Sequence, residues 1–256
     1  MTETRALTSA DLAASWQLLE HAFGGANSPE DWDVELALVE PARFLGTFDG
    51  EQVVAVAGAF ALEMTVPGGP QPVAGVTWVG VRPTHRRRGL ATGLMRRQLD
   101  DLRAAGEPVA ALWASQGAIY QRFGYGPAAW DLALTVPSGA AFTRPVSTTG
   151  LRMADPDVAV LAPVYDAVRR TRTGWAARDE TWWPYRLFDP EHRRSGAAPL
   201  LSVLADGPSG VEGYALYTTK QQWAAGTPRS EVHVREVVST NPDAYARLWR
   251  YLLDLD

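Results

Sequence analysis

Cysteine is absent from the 256 residues, and that one absence removes disulfide frameworks, thiolate zinc sites, iron–sulfur clusters and cysteine nucleophiles together. Histidine is scarce: His21, His85, His192 and His233 are scattered along the chain, a spacing that argues against a structural metal. Lysine is nearly missing too, Lys220 standing alone among 24 basic residues. No apolar run approaches the ~18 residues of a membrane helix, and the opening MTETRALTSADLAASW lacks the basic and apolar regions of a signal peptide. These absences point to a cytoplasmic globular protein without metal or thiol chemistry. A chain of this length buries roughly 70–75% of its unfolded surface, so it needs no covalent staples.

What is present is unevenly charged. The formal net charge is −5, yet seven arginines (Arg82, Arg86, Arg87, Arg88, Arg96, Arg97, Arg103) crowd one short stretch. A GC-rich coding bias explains a preference for arginine over lysine. It does not explain a cluster, and guanidinium is the usual partner of phosphate. The arginines make no single helical stripe, and the chain is acidic overall, which argues against nucleic acid as that partner.

Hydrophobic spacing sets out the elements. Leu12, Trp16, Leu19 and Phe23 recur at helical intervals behind Thr8 or Ser9 as cap, and Pro29 opens a second short helix with Trp32, Leu36 and Val39 inward. Strands are expected at 43–48 and 52–60 around Asp49-Gly50, at 73–81, and, as a buried strand, at 109–114. A helix runs from the arginine loop to about Ala105, with Gly106 ending it. A short helix near 118–122 and a last strand near 130–136 complete an ααβββαβαβ order, and a linker follows to Gly150. The second half repeats hairpin, strand and helix: 200–205 with 211–217, then 231–239, then a helix opened by Asn241-Pro242. Before them a helix is expected that either starts with Asp155-Pro156 as cap and first residue or is delayed by Pro163, and that Gly174 ends. The repeat stops at Asp256, before the strands that followed in the first copy. That interruption predicts an open sheet edge and a tendency to self-associate.

The segment Val79-Gly-Val-Arg-Pro-Thr-His-Arg-Arg-Arg-Gly-Leu-Ala-Thr92 carries the most chemistry. A strand leads through a turn containing Gly89 into a helix, so backbone N–H groups and the positive helix end face one point, an arrangement that binds anions. It is neither a Walker loop nor a GxGxxG fingerprint. Arg87 and Arg88 can add charge-assisted bonds. Trp16, Trp32 and Trp78 read as core or pocket wall, and Asp31, Asp33 and Glu35 as a solvated helix start that could instead attract a cationic amine.

Arg86-x-x-Gly89-x-Ala91 after a strand resembles the coenzyme A pyrophosphate loop of the GNAT superfamily of N-acetyltransferases. With Pro83–Leu90, the run Ile119-Tyr-Gln-Arg-Phe-Gly-Tyr-Gly-Pro127 resembles the Eis (enhanced intracellular survival) type, and the likeness continues through Gly213–Tyr217 and Leu248–Arg250. The resemblance implies an α/β (α+β) GNAT acyltransferase fold, a mixed twisted sheet with flanking helices, followed by a partial second GNAT-like unit. It implies a catalytic domain over 1–145 and an incomplete second one over 150–256. There Ser239-Thr-Asn-Pro-Asp243 replaces the arginine loop, so no cofactor is expected. It further implies acetyl-CoA as co-substrate, a primary amine (aminoglycoside-like, polyamine or lysine side chain) as acceptor, and assembly as a hexamer.

Carried over position by position, the resemblance gives Val79, Gly80 and Val81 the acetyl and pantetheine arm. Arg87, Arg88, Gly89, Leu90, Ala91 and Thr92 take the pyrophosphate, Ser115 and Gln116 complete the groove, and Tyr120 is the general acid. A phenol with an unperturbed pKa of ~10 is protonated at neutral pH and suits that role. Tyr125, set between glycines, reads as a turn aromatic. Without cysteine, transfer is expected to be direct rather than through an acyl-enzyme. The family's base is the carboxylate of a far C-terminus that Asp256 does not match; a longer native chain, an amine arriving neutral, or another carboxylate are the alternatives. A non-catalytic acyl-CoA-binding protein on the same fold is the competing reading.

Overall fold

The computed structural model describes residues 2–25, 28–224 and 226–255; Asp256 lies outside the described residues. The chain divides into two compact units, 1–130 and 131–256.

Unit 1 is a five-stranded sheet in the order β1-β2-β3-β4-β5, built from Thr2–Ala6, Phe44–Asp49, Gln52–Val66, Gly69–Val81 and Val109–Leu112. The first four strands are antiparallel neighbours, and β5 joins β4 in parallel. Asp49 pairs with Gln52, so the two-residue turn is Gly50-Glu51 rather than Asp49-Gly50, with Gly50 supplying the positive φ of +59°. Helices α1 (Leu12–Phe23) and α2 (Pro29–Leu36) lie on one face, and α3 (Leu90–Ala104) on the other. Side-chain alternation along β3, shifted by one residue where Val54 bulges opposite Thr47/Phe48, assigns the two cores. Val53 and Val56 join Leu18, Leu19, Phe44 and Trp78 under α1, while Ala55 and Ala57 meet Leu94 of α3. Gly58 faces the fully buried Phe44 ring, and a Cβ there would overlap it. Gly58→Ala is therefore expected to destabilise unit 1 by about 1–3 kcal/mol, measured by denaturant unfolding.

Three expectations need correction here. The stretch 130–136 forms no strand: Trp130, Leu132, Leu134 and Val136 are 86, 78, 83 and 50% exposed and no ladder partner meets them. Alternation suits a strand only where a neighbour supplies the hydrogen bonds. The β5 segment is half-buried to exposed rather than buried, because β4 is its only neighbour and it forms the sheet edge. The expected helix near 118–122 is two 3-10 turns, Gly117–Ile119 and Gln121–Phe123. The edge strand β1 gave no sequence signal: Thr2–Ala6 is largely exposed and pairs on one side only.

Unit 2 holds a second sheet, ordered β11-β8-β7-β6, from Glu231–Ser239, Gly210–Lys220, Leu201–Gly207 and Leu151–Ala154; the short β9 (Trp223–Ala224) and β10 (Thr227–Pro228) pair separately. Helices α4 (Val158–Arg169) and α5 (Trp182–Leu187) cover one face, and α6 (Pro242–Leu253) the other. The repeat read from the sequence is thus real: hairpin, strand and helix recur as β7, β8, β11 and α6. Pro163 does not delay α4 but sits inside it. It forfeits one backbone bond, which the burial of Leu161, Val164, Tyr165 and Val168 offsets. The helix ends at Arg169, well before Gly174, where the Thr171 hydroxyl donates to the Val168 carbonyl.

Beneath α4 lies a charged cluster. Arg178 donates twice to Glu236 at 2.9 and 2.7 Å, Arg186 reaches the same carboxylate at 3.0 Å, and the Tyr214 hydroxyl donates at 2.7 Å. The Arg178 guanidinium also lies over the rings of Tyr165 and Trp183.

Candidate active site

The register of β4 creates the first element of the site. Val56 pairs with Gly80 but Gly58 pairs with Thr77, so Trp78 and Val79 share the place opposite Ala57. This is a β-bulge, which turns main-chain polar groups out of the β3 ladder. Its backbone is strained, Trp78 having φ +54°, a left-handed conformation that a bulky residue adopts at a cost of order 1–3 kcal/mol. On the other side the β4–β5 ladder spans only Val73–Val76. Beyond it β5 ends at Leu112 while β4 runs on to Val81. Residues 77–81 therefore present an unpaired main-chain edge.

The second element is the start of α3. Gly89 is its N-cap at φ +80°, with no side-chain cap, and the first bond inside the helix is Gly93 N–H to the Gly89 carbonyl at 2.9 Å. The amides of Leu90, Ala91 and Thr92 thus emerge from the helix end. Arg87 is also left-handed, at φ +63°, and nothing lies within 4 Å of where a Gly89 Cβ would stand. Gly89 is needed for its φ, not for room. Arg86 is tied back to α1 by a 2.7 Å bond to the Ala22 carbonyl and Arg88 to the Thr84 carbonyl at 3.1 Å; Arg87 and Arg88 are exposed. His85 has only 13% of its side chain exposed and stands 3.5 Å from Asp49.

Packing joins the predicted residues. Val79, Val81 and Leu90 meet in the cluster under α3, and Val79 also belongs to the neighbouring cluster that includes Tyr120, Phe123 and Tyr125. Tyr120 is half-buried, and burial raises its pKa above the usual phenol value. Ser115 and Gln116 lie exposed on the turn after β5, where the Gln116 carbonyl accepts from Ile119 N–H at 3.1 Å; their side chains are not gathered into these clusters.

Tyr125 is the feature that sequence spacing misread. Gly124 does make a turn, at φ +91°, but the tyrosine ring packs half-buried, 6.0 Å from that of Tyr120 and at 71° to it. Burial and the neighbouring Tyr120 push its pKa up to about 12. Its hydroxyl and the Arg82 Nε are both buried without a hydrogen-bond partner. Orphaned donors of this kind are costly unless a ligand engages them. Together with uncapped amides and an unpaired strand edge, this donor set fits a long ligand with a phosphate end and an amide-bearing arm.

Known proteins narrow that ligand. Two family models, each described as an acetyltransferase (GNAT) domain, match the chain, one at residues 3–128 and the other at 174–256. The chain belongs to the GNAT acetyltransferases. Within that family it is 41% identical over 268 residues to a Streptomyces avermitilis protein named an uncharacterized N-acetyltransferase, covering 100% of this chain and 64% of that one. It is 33% identical over 221 residues to N-acetyltransferase Eis of Mycobacterium tuberculosis, covering 82% of this chain and 52% of Eis. The crystal structure of Eis1 from Mycobacterium abscessus superposes with a TM-score of 0.77 at 30% identity, over 100% of this chain and 63% of that one. The Eis resemblance read from the sequence is therefore correct, and this GNAT chain spans less than two thirds of the length of these relatives. Among its described residues no helix is long and apolar enough to cross a membrane, and no three His, Asp or Glu residues gather as a metal site.

The two GNAT regions differ at the helix that follows the bulged strand. β11 carries its own register shift, at Val234/Glu236, and α6 follows as α3 follows β4. The α6 N-terminus, however, is closed by its own sequence: the Asn241 side chain accepts from Ala244 N–H at 2.9 Å, and Asp243 adds negative charge within the first turn.

Proposed function

We propose that unit 1 is an acetyl-CoA-dependent N-acetyltransferase that passes the acetyl group directly to a primary amine, with Tyr120 as general acid. The observation that carries this reading is the uncapped α3 N-terminus together with the unpaired edge of β4, with Val79 and Tyr120 packed against one buried cluster. Residues 1–145 then act as the catalytic domain, and 150–256 as a second GNAT-like region without cofactor.

Each group has a task that its chemistry suits. The amides of Leu90, Ala91 and Thr92 hold pyrophosphate oxygens at the positive end of α3, and Arg87 and Arg88 supply guanidinium charge. Val79, Gly80 and Val81 offer strand-like hydrogen bonds to the pantetheine amides. Ser115 and Gln116 stand at the outer rim of this groove. When bound, acetyl-CoA supplies an acyl group activated as a thioester. Tyr120 holds a proton at Oη that the departing thiolate takes, and burial keeps that proton in place at neutral pH. A main-chain N–H at the bulge would be the donor for charge developing on the acyl oxygen.

Calorimetry with acetyl-CoA is expected to find one site per chain, because at the head of α6 Asn241 takes the Ala244 amide, Pro242 has no N–H to offer and Asp243 adds negative charge. Thiol release from acetyl-CoA is expected only when an amine is added. Two sites would overturn the assignment of unit 2, and binding without amine-dependent release would favour the non-catalytic alternative.

A further inference from the structure

Tyr125 holds a polar group where an apolar one would serve the fold better. The 3-10 turn Gln121–Phe123 follows Tyr120 directly, and Gly124 at φ +91° turns the chain back, so that both phenols pack against one cluster of Ala59, Ala74, Val76 and Met95. Those four side chains offer no oxygen or nitrogen. Tyr125 enters with its polar end inward: the residue is half-buried, yet its hydroxyl is closed off from solvent and makes no hydrogen bond. A phenylalanine would fill the same space and leave no donor unpaired. A buried group that lowers stability in this way calls for a role in another state of the molecule.

The partner within reach is the other phenol. The rings of Tyr120 and Tyr125 stand 6.0 Å apart at 71°. In unit 2 a second tyrosine pair shows what that spacing permits: the rings of Tyr217 and Tyr251 stand 5.9 Å apart at 70°, and their hydroxyls bond at 2.6 Å. Rings so disposed therefore bring their hydroxyls together once they swing toward each other. Gly124 and Gly126 flank Tyr125, and nothing lies within 4 Å of where a Cβ would stand on either, so the turn has room for that movement.

We propose that Tyr125 is a positioning residue for the acid: its hydroxyl donates to Tyr120 Oη and stabilises the phenolate that remains when Tyr120 gives up its proton. This rests on the reading of Tyr120 as general acid. When the Tyr120 O–H bond breaks and the leaving thiolate takes the proton, the negative charge stays on Oη in half-buried surroundings, where charge is costly. A hydrogen bond to a charged oxygen is stronger than one to a neutral oxygen, so Tyr125 favours the phenolate over the phenol. Burial and the neighbouring Tyr120 push the Tyr125 pKa up to about 12, and it keeps its own proton while it donates. Tyr120 then regains a proton from solvent, which takes up the one the amine sheds.

Three variants test this: Tyr125→Phe, Tyr120→Phe and the two combined. In the free chain Tyr125→Phe is expected to raise the unfolding midpoint by about 2–4 °C, because an unpaired buried hydroxyl has gone. The same substitution lowers kcat by about 10–100-fold, the size of one hydrogen bond to a charged group, while acetyl-CoA affinity by calorimetry stays within about twofold. Placed in the Tyr120→Phe chain, it changes kcat by no more than about twofold, since no phenolate forms there. A lowered midpoint would make Tyr125 a packing residue, and weaker acetyl-CoA binding would make it a contact of the cofactor. Either result overturns the proposal, as does an unchanged kcat or an equal loss in both backgrounds. A Tyr120→Phe chain as fast as the wild type would strike the acid assignment itself, and the proposal with it.

Discussion

Tyr120→Phe lowers acetyl transfer by about 10²–10⁴-fold, the usual contribution of a positioned general acid, and leaves acetyl-CoA affinity nearly unchanged. The ring is what packs against the buried cluster of Ala59, Ala74, Val76 and Met95, so phenylalanine keeps the cluster and removes only the hydroxyl. Thiol release gives the rate and calorimetry the affinity. Burial raises the Tyr120 pKa, so its protonated form persists above the ordinary phenol value of ~10 and the rate is lost only as pH rises through the raised value. An unchanged rate would remove Tyr120 from the chemistry. Tyr125→Phe is the informative comparison, because that hydroxyl lies in the same cluster with its pKa at about 12.

The second large effect is on stability. Glu236→Ala removes the one carboxylate that Arg178, Arg186 and Tyr214 share. The remaining guanidinium of Arg178 is left buried between Tyr165 and Trp183, and breaking a buried pair in this way costs about 3–5 kcal/mol. A fall of roughly 10–20 °C in the unfolding midpoint of unit 2 is expected. Burial would raise the Glu236 pKa, but the Arg178 bond, the charges of both arginines and the Tyr214 hydroxyl outweigh it and the net shift is downward. The stabilisation is therefore complete above the ordinary glutamate value of ~4.3 and is lost as pH falls from there through the depressed one. A midpoint that moves by only a degree or two would show that the cluster does not hold α4 and α5 to the sheet.

Local signals served well wherever chemistry is written in adjacent residues. Gly89 at a left-handed N-cap, Gly50 in the hairpin turn, Gly106 past the end of α3 and Asn241 at the head of α6 were all legible, because each depends on its own φ or its own side chain. The repeat was legible for the same reason, as hydrophobic period is a local property. Features that depend on a distant partner were not. Trp130, Leu132, Leu134 and Val136 alternate as a strand does and yet pair with nothing. Thr2–Ala6 lacks the alternation and pairs throughout.

The sequence by itself determined what chemistry is open to this protein. Without cysteine and with histidines scattered, it leaves phenols, carboxylates, guanidinium groups and backbone amides, and it places the amides at one helix start. The tertiary structure decided which of those groups share a site. Register along β3 and β4 sets the bulge at Trp78, one buried cluster gathers Val79, Tyr120 and Tyr125, and the seating of α2 sets Glu35 beside the Trp78 indole while Asp31 closes its own helix. Spacing along the chain specifies the shape of an element, whereas proximity between elements follows from which apolar faces bury together.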